Sequence, residues 1–471
     1  MFLVLSFLSI IPLVLAMSTT NNNSLSSSSS TTTIVVGLNA ALQKRFVLPS
    51  STPSLIPGDV HRAQHVQVGV GGKGQDAAIT LSCLEYKNYH LLQFIGSGAE
   101  GDTVCQLLTN LLGQTVMEGT TTRTQSHLRT CTSVVAETST TELVEPSGVV
   151  TREEMEQLME QLTPLTADAL CVMGSMPPGC TEHTYADIFT RVGTSKTLCV
   201  IDSTSGLVPL MDAIASKSAS AILKCNAAEL CNIAGVKKSS SETGGTKPEE
   251  IVEALSSFLK KFDNARHALN AIAITDGLHP AYFAAMPVSS ESEFRLFQLP
   301  VAKLVVSTET SATAEGAATE DKGNWGYWSE SQTSIPDVGI GTGVASNVLA
   351  TPAIYPIGAG DAVAAGTLAA WRALVDASKS SRTSSSTPRS LESSSSSAPV
   401  SSRMHPDVLS ALAGNESPST RAMLAAFAFG LACGTASCKQ EENSVLLVQD
   451  ALDIYNQEGR PIFLSSHKVP T

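Results

Sequence analysis

Residues 355–371 read Tyr355-Pro356-Ile357-Gly358-Ala359-Gly360-Asp361-Ala362-Val363-Ala364-Ala365-Gly366-Thr367-Leu368-Ala369-Ala370-Trp371. A Gly-Ala-Gly turn is followed by an aspartate and then by an apolar run of helical character. The start of a helix leaves amide N–H groups without partners inside the helix and carries the positive end of its dipole. Gly358 and Gly360 lack a Cβ, so the backbone there can come close to a ligand. The turn suits developing negative charge on the N–H groups of Ala359, Gly360 and Asp361, with the Asp361 carboxylate beside it as a candidate base. A carboxylate next to an anion hole is what phosphoryl transfer to an alcohol requires.

Upstream, Val68-Gly69-Val70-Gly71-Gly72-Lys73-Gly74-Gln75-Asp76-Ala77-Ala78 is a second Gly-rich turn that runs into a helix. One such turn alone is ordinary chain reversal; two in this order, far apart in the chain, are a more specific signal. Neither has the form Gly-x-x-x-x-Gly-Lys-Ser/Thr, and no Gly-x-Gly-x-x-Gly follows the first strand, which disfavours a P-loop kinase and a dinucleotide oxidoreductase.

Between the two turns, short apolar runs alternate with helical stretches. Ile34–Leu38, Leu170–Met173, Thr197–Asp202, Ile222–Lys224 and Ala271–Thr275 read as strands. Tyr185–Val192, Ala227–Ala234 and Ile251–Phe262 read as helices, and a closing helix is expected near Arg421–Ala436. This rhythm predicts a mostly parallel sheet covered on both faces. Ligands of such sheets bind beyond the carboxyl ends of the strands, where the segments at 174–179, 202–206, 224–229 and 275–277 all fall.

As a set, these stretches resemble the ribokinase-like, PfkB-type carbohydrate kinases, and within them the fructose-1-phosphate and tagatose-6-phosphate kinase branch. Gly37-Leu38-Asn39-Ala40-Ala41-Leu42 is similar to that branch's Asn-Pro-Ala-Leu opening, and Gly174-Ser175-Met176-Pro177-Pro178-Gly179 to its Gly-Ser-Leu-Pro-Pro-Gly loop. Leu223-Lys224-Cys225-Asn226-Ala227-Ala228-Glu229-Leu230 is similar to Lys-Pro-Asn-x-x-Glu-Leu, while Leu128–Cys131 and Thr141–Pro146 match the stretch whose arginine reaches the substrate. The resemblance spans about residues 33–375 and 421–440.

It implies a three-layer α/β/α fold with a small β-sheet lid, built here from parts of 40–70 and 115–147, in one kinase domain over 34–471. It implies ATP and Mg²⁺, a small sugar or sugar phosphate as substrate, and leaves open a homodimer through the lid. Carried over residue by residue, Asp361 is the general base, with Gly358, Ala359 and Gly360 as the anion hole. Gln43, Gly71, Gly72, Lys73, Gly74, Asp76, Arg129 and Ser175 fall on the substrate side, with Arg123 as a rival to Arg129. Lys224, Thr275 and Gly277 fall on the nucleotide side, and Asn226 and Glu229 are expected to organise magnesium through water. Four positions depart from the family pattern: Gln43 replaces an aspartate, Asp76 an asparagine, and Ala40 and Cys225 prolines. Two other readings stay open: a nucleoside or other small-alcohol kinase of the same fold, and a catalytically weak sugar-binding or regulatory protein.

The 471 residues, 42 % hydrophobic and 15 % charged, suffice for a large core. A net charge of −13 makes a nucleic-acid partner unexpected. The ten cysteines form no Cys-x-x-Cys pair, and several sit inside apolar runs, so buried thiols in a reducing compartment are expected. Phe2–Ala16 is apolar but too short for a comfortable membrane span. A cytoplasmic protein is expected, with an organellar or secretory route as the alternative if residues 1–16 act as a signal; Met17 is a second candidate start. Residues 1–33 hold that segment and a Ser/Thr/Asn-rich stretch, and residues 307–334 and 379–403 read as low-complexity insertions, the second with thirteen serines in twenty-five positions.

Overall fold

An apolar run without polar alternation can be buried on both faces of a sheet, and the central strands are made that way. The computed structural model describes residues 32–137, 139–237, 245–263, 265–287, 293–302, 357–383, 418–440, 442–457 and 461–468. The strands are β1 (Thr32–Val36), β2 (Ala41–Val47), β3 (His65–Gly71), β4 (Tyr89–Ser97), β5 (Thr121–His127), β6 (Thr130–Val135), β7 (Thr140–Val144), β8 (Ala167–Met173), β9 (Leu198–Asp202), β10 (Ser220–Asn226), β11 (Ala271–Asp276), β12 (His279–Ala285), β13 (Glu293–Leu299) and β14 (Ile462–Lys468). The helices are α1 (Lys73–Cys83), α2 (Gly98–Leu112), α3 (Gln114–Met117), α4 (Arg152–Gln161), α5 (Thr184–Val192), α6 (Leu207–Lys217), α7 (Ala227–Ala234), α8 (Pro248–Lys261), α9 (Ala265–Ala268), α10 (Ala359–Thr383), α11 (Pro418–Ser437) and α12 (Val448–Gln457).

Among the described residues, the main sheet has ten strands in the order β14-β13-β12-β11-β10-β9-β8-β1-β4-β5. From β11 to β5 all neighbours are parallel; β12, β13 and β14 add an antiparallel edge. Side chains alternate across this sheet. Val35, Cys171 and Val200 join one core with α1, α2, α10 and α11, whereas Ile34, Val36, Val172 and Ile201 join a second core with α5, α6, α7 and α8. The result is three layers, helix–sheet–helix.

The remaining four strands form a separate small sheet in the order β3-β2-β6-β7. Within it β6 and β7 pair antiparallel, inside the 115–147 stretch expected to contribute to a small sheet. Strand β1 begins at Thr32, two residues before Ile34, and α10 carries on through Lys379–Thr383, which composition assigned to an insertion. An established helix propagates into residues of modest propensity at small cost, because nucleation has already occurred. The rest of that insertion, the whole of 307–334, and the Phe2–Ala16 segment lie outside the described residues.

Two close approaches bring the functional motifs together. A Cβ built on Gly74 would lie 2.2 Å from Gly37 Cα, so the first turn of α1 sits directly on the chain leaving β1. A Cβ on Gly430 would lie 2.5 Å from the Val363 carbonyl oxygen, and one on Gly434 2.8 Å from that of Ala359, which sets the crossing of α10 and α11. Gly74→Ala must therefore push backbone against backbone and is expected to cost about 1–3 kcal/mol, read as a lower urea midpoint at unchanged slope. Replacing residues 384–402, beyond α10, with a short Gly/Ser linker is expected to leave the melting transition and turnover nearly unchanged, since loop closure depends weakly on length.

Candidate active site

The parallel strands deliver their carboxyl ends to one edge, and charged side chains collect there. Asp202 ends β9 after four apolar residues and is buried. Its Oδ1 accepts a hydrogen bond from Lys73 Nζ at 2.8 Å, and its Oδ2 one from Lys224 Nζ at 2.7 Å. Lys73 opens α1 directly after Gly72, whose φ of 116° only glycine adopts readily. Lys224 lies inside β10 and is buried. One carboxylate thus holds two ammonium groups delivered by different elements. Burial would neutralise Asp202, but the two lysines hold its carboxyl below the ordinary aspartate value. Burial likewise opposes the charge of Lys73, and the carboxylates of Asp202, Asp361 and Glu229 override it and raise its pKa.

Asp361 occupies the first turn of α10 and is buried beside this triad. Burial, then the charge of Asp202, push its carboxyl up to about 7, against the pull of Lys73 and Lys224. Of the three N–H groups expected to form an anion hole, that of Asp361 donates to the Gly358 carbonyl at 3.0 Å. The first-turn N–H groups of Ala359 and Gly360 precede the helical ladder and remain the candidates. A Cβ on Gly360 would lie 3.1 Å from Lys224 Nζ, so the ammonium of Lys224 stands directly against this turn. The turn itself is pinned by Ser444, whose hydroxyl donates to the Gly358 carbonyl at 2.8 Å.

A cavity of about 680 Å³ opens over these groups, and the small sheet supplies its other wall. Gln43, Gly72, Lys73, Gly74, Asp76, Arg129, Ser175, Glu229, Gly358 and Asp361 line it. Gln43 and Asp76, distant in sequence, share this one space; the Gln43 amide donates to Ser133 Oγ at 2.7 Å. Arg129 donates to the carbonyls of Asn39 at 2.8 Å and Ala40 at 3.4 Å. The Asn39 side chain donates to Ser175 Oγ at 2.9 Å and accepts from Ser147 Oγ at 2.7 Å. Arg123, the rival to Arg129, pairs with Asp102 at 2.8 Å and is absent from the cavity wall.

Other expected residues sit behind or beside this cavity. Gly71, Ala359, Gly360, Lys224, Asn226, Thr275 and Gly277 do not line it. Lys224 lies beneath it through Asp202, and Asn226 pairs in register with Thr275 at the same sheet edge. Asn226 and Glu229 form a reciprocal helix cap: Asn226 Oδ1 accepts from the Glu229 N–H and Glu229 Oε2 from the Asn226 N–H, both at 2.8 Å. Glu229 Oε1 stays outside the cap, 3.7 Å from Lys73 Nζ. With one oxygen of each residue tied to backbone, contact with magnesium through water fits this pair better than direct bidentate ligation.

Asp202 and Asn443 are among the cavity residues that the sequence analysis did not single out. The signal for Asp202 was a lone carboxylate closing an apolar strand at the expected ligand edge. Asn443 accepts from the buried Arg45 of β2 and has no local signature.

The model of the pfkB family carbohydrate kinases matches residues 45–308, more than half of the chain and ending upstream of Gly358. No curated protein matches. Among solved structures, the chain is similar to the tetrameric inhibited form of phosphofructokinase-2 from Escherichia coli, with 15 % identity over 90 % of this chain and 98 % of that one and a TM-score of 0.54. It is also similar to a Thermotoga maritima protein described as a possible 1-phosphofructokinase, with 14 % identity over 92 % and 100 % and a TM-score of 0.53. At these identities the likeness speaks to fold.

Removing the shared carboxylate would take from the buried Lys224 its ion-pair partner at 2.7 Å, while Lys73 keeps Glu229 at 3.7 Å. Asp202→Ala is expected to destabilise the fold by about 3–5 kcal/mol in chemical unfolding, the cost of an uncompensated buried charge.

Proposed function

Since this chain belongs to the pfkB family of carbohydrate kinases, an enzyme family that phosphorylates sugars, we propose that it moves the γ-phosphoryl group of ATP to a hydroxyl of a sugar or sugar phosphate with Asp361 as the general base. The observation that carries this reading is the position of Asp361. It is a buried carboxyl on the cavity wall, at a helix start, flanked by Lys73 and Lys224 and held near 7. A base so poised is substantially ionised at neutral pH yet still able to take a proton.

The steps follow from the residues. The sugar enters between the small sheet and the strand ends, with Arg129, Asn39, Ser175, Gln43 and Asp76 offering donors and acceptors to its polar groups. The attacking hydroxyl gives its proton to the Asp361 carboxylate as its oxygen bonds to phosphorus and the bond to the ADP oxygen breaks. The N–H groups of Ala359 and Gly360, with the Lys224 ammonium against them, stabilise charge on the transferring group. Lys73 and Arg129 are the cations on the cavity wall for a substrate phosphate. Magnesium, held through water near Glu229, would neutralise phosphate charge. The intact base, turn and lysine pair weigh against a protein that kept only sugar binding. The amides and hydroxyls toward the small sheet suit a polyhydroxylated substrate.

Asp361→Asn is expected to lower kcat by about a hundred- to ten-thousandfold, with nucleotide affinity near wild type, because the base acts only as the hydroxyl proton departs. A variant keeping a tenth of wild-type activity would remove Asp361 from this role. A coupled ADP-release assay across fructose 1-phosphate, fructose 6-phosphate, tagatose 6-phosphate, ribose and adenosine tests the substrate class; turnover of adenosine alone would favour a nucleoside kinase.

A further inference from the structure

The Gly358 carbonyl accepts from the N–H groups of Asp361 and Ala362, both at 3.0 Å, and from the Ser444 hydroxyl at 2.8 Å. The Gly358–Ala359 peptide is trans and planar, so its C=O and N–H point in opposite directions. Holding the carbonyl toward Ser444 and the body of α10 therefore aims the Ala359 N–H out of the helix start. That N–H is one of the two first-turn donors that face the transferring phosphoryl group in the proposed mechanism.

Ser444 is itself held in an unusual conformation. It is fully buried, and its φ of 58° lies in the left-handed region that residues other than glycine seldom enter. Such a conformation persists where its surroundings over-determine it. The Ser444 carbonyl accepts from Thr80 Oγ1 of α1 at 2.9 Å. The preceding residue, Asn443, is buried and accepts through Oδ1 from Arg45 Nη2. Arg45 is fully buried in β2, the strand of the small sheet that pairs with both β3 and β6. Its Nη1 donates to Oε1 of Gln67, the residue opposite it in β3, at 3.4 Å. A path of hydrogen bonds and one peptide link thus runs from the middle of the small sheet to the start of α10.

We propose that Ser444, Asn443 and Arg45 are positioning residues that align the Ala359 N–H for phosphoryl transfer and tie that alignment to the seating of the small sheet. This rests on the reading of the Gly358–Asp361 turn as the place of transfer. Ser444 sets the peptide plane, Asn443 sets Ser444, and Arg45 sets Asn443 by reaching across from the opposite wall of the cavity. An aimed donor counts most where charge develops, so the device acts on the transition state more than on either bound substrate.

The test measures kcat, KM and ADP affinity of the full-length protein with the best acceptor from the ADP-release panel. Ser444→Ala and Ser444→Gly both lack the hydroxyl, but only glycine relieves the positive φ. Both are expected to lose about ten- to a hundredfold in kcat, less than deletion of a donor, with KM and ADP affinity within about twofold of wild type. The glycine variant should melt higher than the alanine variant. Activity that follows the melting temperature would mean a merely structural role and overturn the proposal. Arg45→Met and Asn443→Ala break the path from its two ends, so the second serves if the first does not fold. Each is expected to lower kcat and to add no further loss in combination with Ser444→Gly; losses that multiply overturn the tie to the small sheet. A readout without an acceptor is the tightening of ADP binding by aluminium fluoride, a mimic of the transferring group, with magnesium present. It should shrink in Ser444→Gly by the same factor as kcat, and unchanged tightening overturns the proposal. Wild-type kcat in Ser444→Gly beside an inactive Asp361→Asn refutes the positioning role and leaves the base in place; wild-type turnover in both removes the reading of the turn itself.

Discussion

The Asp202 carboxylate is the point on which the site is assembled. It is buried and binds the ammonium groups of Lys73 and Lys224. An isolated charge at this depth would cost several kcal/mol, and the arrangement holds because each partner's charge is answered within hydrogen-bond distance. The consequence is geometric as well as energetic. Lys73 comes from the first Gly-rich turn, Lys224 from the middle of the sheet and Asp202 from the strand between. Fixing one fixes the others, and the Gly358–Asp361 turn is seated against Lys224. Two motifs far apart in sequence become one constellation through a residue that belongs to neither.

Glycine makes that seating possible, in a manner different from the first reading of the motifs. Gly358 and Gly360 were read as openings for a ligand. Gly360 does leave room, and Lys224 stands in it; Gly358, at a φ of 82°, would drive a Cβ into the Ser444 hydroxyl. Gly74 serves packing, since its missing Cβ lets α1 rest on Gly37. A glycine motif is thus partly about ligand approach and partly about how closely a helix start can be laid on a strand end.

The central layers were legible because apolar runs and helical periodicity are local signals. The expected strands at Leu170–Met173 and Ala271–Thr275 are β8 and β11, each one to three residues longer, and Ala227–Ala234 is α7 with the same limits. Local signals fail where pairing is non-local. The link of Arg45 to Asn443 joins residues nearly four hundred positions apart, and nothing in the polar stretch around Asn443 announces it. Asp202 was visible as a position but not as a role, since a carboxylate at a strand end becomes an ion-pair hub only when two other elements bring lysines to it. The end of α10 was misplaced for a different reason: serine content lowers helix propensity weakly, and a helix already formed runs past it.

The cavity divides its labour between two walls. The strand-end wall carries Asp202, Lys73, Asp361 and Glu229, groups bound to each other by charge, so that altering one unbalances the rest. The opposite wall is built from Gln43, Cys131, Thr140 and Glu142 of the small sheet, with Arg129 tied to backbone carbonyls. These side chains stand on strands joined by backbone pairing, and most can be exchanged without stranding a buried charge. On the proposed reading, chemistry belongs to the first wall and sugar choice to the second. Asp76 is the exception, because it sits in the first turn of the helix that carries Lys73 and feels the charge of Arg45 from the small sheet. A change there acts on both walls at once.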